Sequence, residues 1–413
     1  MAHSDVLIVT WDGGGNVPPA LALAERLAAR GHRVRVSGPA SMDRAVTATG
    51  ATLVPYRTVR ALPAGLRHED NWPTIEAILN GPAMIDDLLA EHRADPIGTI
   101  VVDSMSGAGL AVGEAFRIPM AILVHTLYQP YRSWGPQVVN VRDTREAVGL
   151  AAVDRDGFPG VLDRAAAVLA IVPPGLDYPI EHLPANTTYV GPILAPSAAG
   201  TATIPGATPA YAAEAGLGGD PVVLITLGST VQRQEEALRP ILEAVAGLPV
   251  RGLLTLGGVL DERAIKAPEN VDVRGHVPHG SILPGVTAVV CHGGLSTITG
   301  TLAAGKPLVV IPQGRDQDMN AERVAATGAG LALPIDASVD QIAAAIRRVI
   351  DERAFAMAAR AFAATIADLG AGEVATTIVE SLGSASASND SEPEPATRTA
   401  TATPKAARSV ASV

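Results

Sequence analysis

Short apolar runs alternate with helical patterns along the first part of this chain, the alternation lapses over small, Pro and Gly residues, and then it begins again. That doubled pattern restricts the fold more than any other feature. The first series holds VLIVT (6–10), a helix from about Pro18 to Arg30, HRVRVSG (32–38), IVVD (100–103) and PMAILVH (119–125). The second holds PVVLITLGS (221–229), a helix from about Gln234 to Ala246, RGLLTLGG (251–258), VDVRGHV (271–277), AVVCHGG (288–294) and PLVVIP (307–312). Repeats of strand, helix and strand are parallel βαβ units. Apolar residues make up 47% of the chain but aromatics only 3%, so Ala, Val, Leu and Ile must fill the interior, as they do in sheets covered by helices on both faces. The expected architecture is α/β, two doubly wound Rossmann-like domains facing across a cleft, at 1–205 and 206–382. The Pro- and Gly-rich stretch 193–219 joins them. From Gly383 the sequence nearly lacks Leu, Ile and Phe, and the tail 383–413 is predicted to be disordered because it buries too little to offset its ordering entropy.

Charge and composition exclude several partners. The net charge of −11 repels a phosphate backbone, so nucleic acid is not an expected ligand. Cys291, the single cysteine, permits no internal disulfide and no multi-cysteine zinc site, in keeping with a reducing compartment. The start MAHSDVLIVT reads as a first strand and not as a signal peptide. No apolar run approaches the ~18 residues that span a bilayer, so a cytoplasmic protein without stable membrane insertion is expected. The sequence carries no sign of oligomeric state.

In open parallel sheets, ligands bind beyond the carboxyl ends of the strands, where loops and helix N-termini converge. Those ends offer Asp12 with the loop GGGN (13–16), Asp103 with Ser104, and His125 with Thr126 in the first series. In the second they offer Gly228 to Thr230, His292 to Thr297, and Gln313 to Asp318. The glycine loop does not fit a dinucleotide fingerprint, since Pro18 takes the third glycine position and Ser37, Gly38 and Pro39 supply no carboxylate for a ribose. It is either a tight turn opening a helix or a ligand contact. Asp316, Gln317 and Asp318 run directly into the helical MNAERVAA, and no metal site is expected there. Cys291 closes an apolar strand, where a buried inert thiol is the default. The segment LYQPYRSWGP (127–136) reads as a loop that either walls an acceptor or covers the core.

From 275 to 330, GHVPHGSILP followed by HGG and DQxxN resembles the donor-binding signature of the GT-B glycosyltransferases, the family of plant UDP-sugar transferases and bacterial antibiotic, macrolide-type transferases. The resemblance implies that His276 and Val277 lie against the nucleotide base. His292, Gly294, Ser296 and Thr297 would bind the diphosphate, with Ser229 and Thr230 as further phosphate contacts, and Asp316 and Gln317 would bind sugar hydroxyls. Asn320 matches the asparagine of DQxxN. Two positions depart from the family. Its ribose-binding glutamate, eight residues after the diphosphate histidine, is here Gly300, which favours a dTDP donor over UDP. The histidine base of its GHxNP loop is here Asn16, after Gly15, and an amide accepts no proton at neutral pH. Asp103, matching the carboxylate that orients that base, is the first candidate to replace it, with Asp12 and His125 as alternatives. The implied activity is inverting, metal-independent transfer of a hexose or deoxyhexose from a nucleotide diphosphate sugar, a co-substrate and the only cofactor-like partner, to a small apolar acceptor. Loops at 56–84 and 127–150 would set the acceptor. A catalytically silent nucleotide-sugar binder and a nucleotide-sugar epimerase are the rival readings.

Overall fold

The computed structural model describes residues 4–62, 71–195, 220–260, 262–275 and 277–386. Its strands form two sheets in which all neighbours run parallel. The first comprises β1 (Asp5–Val9), β2 (Arg33–Gly38), β3 (Thr52–Pro55), β4 (Thr99–Asp103), β5 (Met120–Val124), β6 (Ala167–Ala170) and β7 (Thr187–Tyr189), ordered β3-β2-β1-β4-β5-β6-β7. The second comprises β8 (Val222–Thr226), β9 (Arg251–Thr255), β10 (Val271–Arg274), β11 (Ala288–Cys291), β12 (Leu308–Val310) and β13 (Gly330–Ala332), ordered β10-β9-β8-β11-β12-β13. Register is set across the central strands, where Val6 faces Val34 and Thr99 while Leu224 faces Leu253 and Val289. The doubly wound α/β expectation therefore holds in both halves. The proposed boundary near 205 lies outside the described residues.

Alternation along each strand supplies the two buried faces. Leu7, Val9, Ile100, Val102 and Ile122 pack on one side of the first sheet, and Val6, Ile8, Val34, Val101 and Leu123 on the other. In the second sheet Val223, Ile225 and Val290 oppose Val222, Leu224, Val289 and Cys291 in the same way. The Gln234–Ala246 helix falls where its periodicity placed it. Strands β3, β6, β7 and β13 escaped the sequence reading because they are short, and β6 and β13, AVLA and GLA, hold few β-branched residues to mark them.

Three segments differ from expectation. LYQPYRSWGP is not a loop: Tyr128–Trp134 is a helix whose first amides, those of Tyr128 and Gln129, donate to Asp177 Oδ2 at 2.7 and 3.2 Å. That cap comes from 49 residues away, so no local signal announces the helix. The presumed acceptor loop at 56–84 contains the Trp72–Asn80 helix and the start of the Pro82–Ala94 helix, each opened by proline near its first position. The predicted disordered tail begins too early, because the Glu373–Ser386 helix passes Gly383; residues 387–413 lie outside the described ones. This helix also returns to the first sheet. Ala375 and Val379 join Leu23 and Leu27 in its core, and Glu380 Oε2 accepts from Arg30 Nη1 at 2.5 Å. A break at Gly370–Gly372 separates it from the Arg353–Asp368 helix. No single described helix is long and apolar enough to cross a membrane.

Candidate active site

The carboxyl ends of β1, β4, β5, β8, β11 and β12 meet around one cavity of about 1690 Å³ walled by both halves. On the second half, β11 delivers His292 into a slot too narrow for any side chain beside it. A Cβ on Gly228 would stand 2.9 Å from His292 Nε2, and one on Gly294 only 2.4 Å, so both glycines are imposed by the ring they enclose. Gly228 also adopts a φ of 92°. Burial pushes the imidazole down to about 4, against the upward pull of the Thr226 carbonyl and Asp316, so His292 is neutral at pH 7.

The helix Leu295–Ala303 starts directly after this slot, with Gly294 at its N-cap and no side chain capping it. Its first-turn amides and N-terminal dipole point to the place where an anion would sit. Thr297, Ser229 and Thr230 line the cavity beside it. Ser296 also lines it, and its hydroxyl donates to the Gly15 carbonyl at 2.7 Å, tying the glycine loop of the first half to this helix. Gly14 packs there too, since a Cβ on it would meet Thr230 Cγ2 at 2.8 Å. The GGGN loop is therefore a turn and a cavity wall at once.

Beyond β12, Asp316 and Gln317 both reach the cavity. Asp316 Oδ2 accepts from Thr126 Oγ1 at 3.2 Å and from Asn320 Nδ2 at 3.1 Å, and Asn320 also donates to the Gly293 carbonyl at 3.0 Å. Gln317 is held at both ends, accepting from the Gln313 amide at 2.8 Å and donating to Gln232 Oε1 at 2.7 Å. Val277 lines the cavity as well. Gly300 lies on its wall without crowding: a Cβ there would have only Leu283 Cδ1, at an unstrained 4.0 Å, within reach. His276 lies outside the described residues. Cys291 is buried and its thiol is pushed up to about 12, an inert core group.

The first half arranges its polar groups differently. Asn16 is buried, and its Nδ2 donates to Trp11 O at 2.7 Å, Asp103 Oδ2 at 2.9 Å and Thr10 Oγ1 at 3.1 Å. Asp103 is only 3% exposed and does not reach the cavity wall, contrary to the expectation that its carboxylate faces the cleft. Its Oδ1 accepts from the Met105 amide at 2.9 Å and lies 3.5 Å from His125 Nδ1. Asp12 is exposed but also stands away from the cavity. His125 is on the wall. Trp11, Trp72 and Trp134, all three tryptophans of the chain, line the same cavity from the first half. Tyr131 sets Trp134 by an edge-on contact at 5.3 Å while its own hydroxyl bonds the Ser104 carbonyl.

Residues 240–381 match the family described as erythromycin biosynthesis protein CIII-like, C-terminal domain. Over 430 aligned residues the chain is 29% identical to demethyllactenocin mycarosyltransferase of Streptomyces fradiae, covering 94% of this chain and 88% of that one. The fold is similar to the glycotransferase of kitacinnamycin, with a TM-score of 0.76 and 24% identity over 92% of this chain and all of that one. It is likewise similar to the glycosyltransferase VinC in complex with dTDP, with a TM-score of 0.68 and 22% identity over 92% and 99% of the two chains.

The chain has the GT-B fold and resembles glycosyltransferases in sequence.

Several wall residues of the transferase went unread in its sequence. His279, whose Nε2 lies 3.3 Å from Thr226 Oγ1, and Arg315, at a left-handed φ of 61°, both line the cavity. Each sits inside or beside a motif already recognised, GHVPHGSILP and DQxxN, and that adjacency was the available signal. Trp72 and Trp134 fall in the segments 56–84 and 127–136 already weighed as acceptor walls, and both line the cavity; that they share it with Trp11, 61 and 123 residues earlier in sequence, had no local signal.

Proposed function

We propose that the protein transfers a hexose or deoxyhexose, with inversion, from a dTDP- or UDP-sugar to an extended apolar acceptor seated against its tryptophans. The observation that carries this reading is a single cavity with two unlike walls: an uncapped helix start beside a neutral His292 on the second half, and Trp11, Trp72 and Trp134 on the first. The former suits a diphosphate, whose charge the helix N-terminus and the imidazole N–H meet without a divalent metal. The latter suits an apolar ring system, which aromatic faces hold by burial and stacking. Asp316 and Gln317, between them, take the sugar hydroxyls. At the anomeric carbon the acceptor oxygen enters opposite the departing diphosphate, through a state with oxocarbenium character.

The donor is a dTDP-sugar by preference. Gly300 leaves the wall open where a carboxylate would read a ribose 2′-hydroxyl, and the structural neighbour VinC is named with dTDP. The test is incubation with UDP- and dTDP-hexoses and a set of apolar aglycones in the presence of a chelator, following nucleotide release and the anomeric configuration of the product. Inverted product with stoichiometric nucleotide supports the reading. Tight nucleotide binding without release for every acceptor would instead identify a silent binder.

A further inference from the structure

We propose that His125 is the general base of the transfer and that Asp103 is the residue that positions it. This rests on the transfer reading above. It assigns the proton-accepting role to a strand end, that of β5, other than the loop after β1 where Asn16 stands.

The argument is one of reach. Among the described residues of the first half that line the cavity, His125 is the one with an ionisable side chain. Asp103 is buried behind it and Asp12 lies away from the cavity. Asn16 cannot accept a proton, but its amide does something else. By donating to Asp103 Oδ2 at 2.9 Å it fixes the carboxylate while adding no charge, and Oδ1 is left turned toward His125. Oδ1 lies 3.5 Å from Nδ1, a buried nitrogen with no hydrogen-bond partner among the described residues. A small rotation of the ring closes that gap, as catalytic contacts commonly tighten when substrate arrives. With Nδ1–H directed to the carboxylate, Nε2 is the lone-pair nitrogen left for the cavity.

The placement also fits the sugar end. Thr126, the next residue, donates to Asp316, which in turn accepts from Asn320. His125 thus stands where the tryptophan-lined volume meets the residues that would hold the sugar. In the step proposed, the acceptor O–H bond breaks and its proton passes to Nε2. The oxygen's pair forms the bond to the anomeric carbon, and the bond from that carbon to the phosphate oxygen breaks with its pair leaving on the nucleoside diphosphate. The imidazolium, paired with Asp103, later returns its proton to water.

The experiment compares two acceptors on the full chain with a dTDP- or UDP-hexose: a phenol-type alcohol, which needs a base, and an electron-poor aromatic thiol, which is ionised at neutral pH and needs none. For His125→Ala, kcat with the alcohol is expected to fall by ~10² to 10⁴-fold. Transfer to the thiol and calorimetric affinity for dTDP should each stay within a few-fold, and added imidazole should restore part of the alcohol reaction. Asp103→Asn should lower alcohol kcat with the same sparing of the thiol, the signature of a positioning role and not of a damaged fold. Undiminished alcohol transfer by His125→Ala, or equal losses with alcohol and thiol, would overturn the assignment. If the wild-type protein binds dTDP yet releases no nucleotide with either acceptor, the transfer reading itself fails and the base assignment falls with it.

Discussion

The two halves of this transferase share one strand order, since β8 to β13 repeat the arrangement of β1 to β6, yet equivalent strand ends carry different chemistry. The fourth strand ends in Asp103 in one half and leads into His292 in the other; the fifth leads into His125 and Asp316 respectively. The first strand is followed by the GGGN loop in one and by Gly228 and Ser229 in the other. In the second half, on the function proposed here, these groups would meet a charged ligand, and the backbone does much of the shaping: two glycines admit an imidazole, and a helix start is left open. In the first half the backbone does little, and the chemistry depends on side chains gathered from distant segments. Where the halves meet, the two fifth-strand ends touch through Thr126 and Asp316. On the proposed function, the same scaffold serves binding through a contiguous loop on one side and catalysis through a dispersed set on the other.

The largest expected effect that separates the halves is on acid stability. His292 titrates at about 4 when folded, below its ordinary value of 6.5, so between those values the unfolded chain binds the extra proton and acidification favours unfolding. The contribution is complete above pH 6.5 and is lost as pH falls through about 4, roughly 3 kcal/mol in all. Denaturant unfolding of the wild type and of His292→Gln across this range checks it, the variant showing the shallower slope.

Next comes a pair of glycines. Gly294 has an ordinary φ of −62°, so Gly294→Ala acts purely by pressing on His292, and overpacking of ~1 to 3 kcal/mol should lower dTDP affinity by about 5- to 150-fold. Gly300→Ala meets only an ordinary contact with Leu283 at 4.0 Å and should leave affinity within about twofold. Equal effects would erase the distinction between a backbone-built slot and a free wall.

In the first half, Trp134→Ala should raise acceptor KM by about tenfold, in line with ~1 to 2 kcal/mol for a truncated aromatic contact, while dTDP affinity stays unchanged in calorimetry. A shift in dTDP affinity instead would mean that the two walls of the cavity are not separate. The smallest effect expected is in nucleotide choice. Gly300→Glu should move preference toward UDP by up to about tenfold, or 1.4 kcal/mol, measured by competition between UDP and dTDP.

The same contrast explains what was legible in the sequence. That His292 to Thr297 and Asp316 with Gln317 would share one cavity wall was legible because Cys291 to Asn320 is one continuous stretch, strand, turn, helix, strand and helix, whose residues reach it by local geometry. Parallel strands with strong β-branched runs, such as TIVVD and VVLIT, were legible for the same reason. The wall from the first half could not be read in this way. That Asn16 would hold Asp103 away from the cavity, and that His125 would stand in front of it, depends on the pairing of β4 with β5 and of both with the loop after β1. The Tyr128–Trp134 helix is capped from Asp177, and the Glu373–Ser386 helix crosses to the first sheet through contacts with Leu23, Leu27 and Arg30. Each is a long-range contact without a local trace.

The most direct test of the division between the halves is titration of dTDP into His292→Ala by calorimetry, beside the wild type. A hydrogen bond from His292 to a charged diphosphate accounts for ~1.5 to 3 kcal/mol, so the variant should bind about 10- to 150-fold more weakly. An affinity equal to that of the wild type would contradict the account, because the diphosphate would then lie away from His292 and the helix start at Leu295.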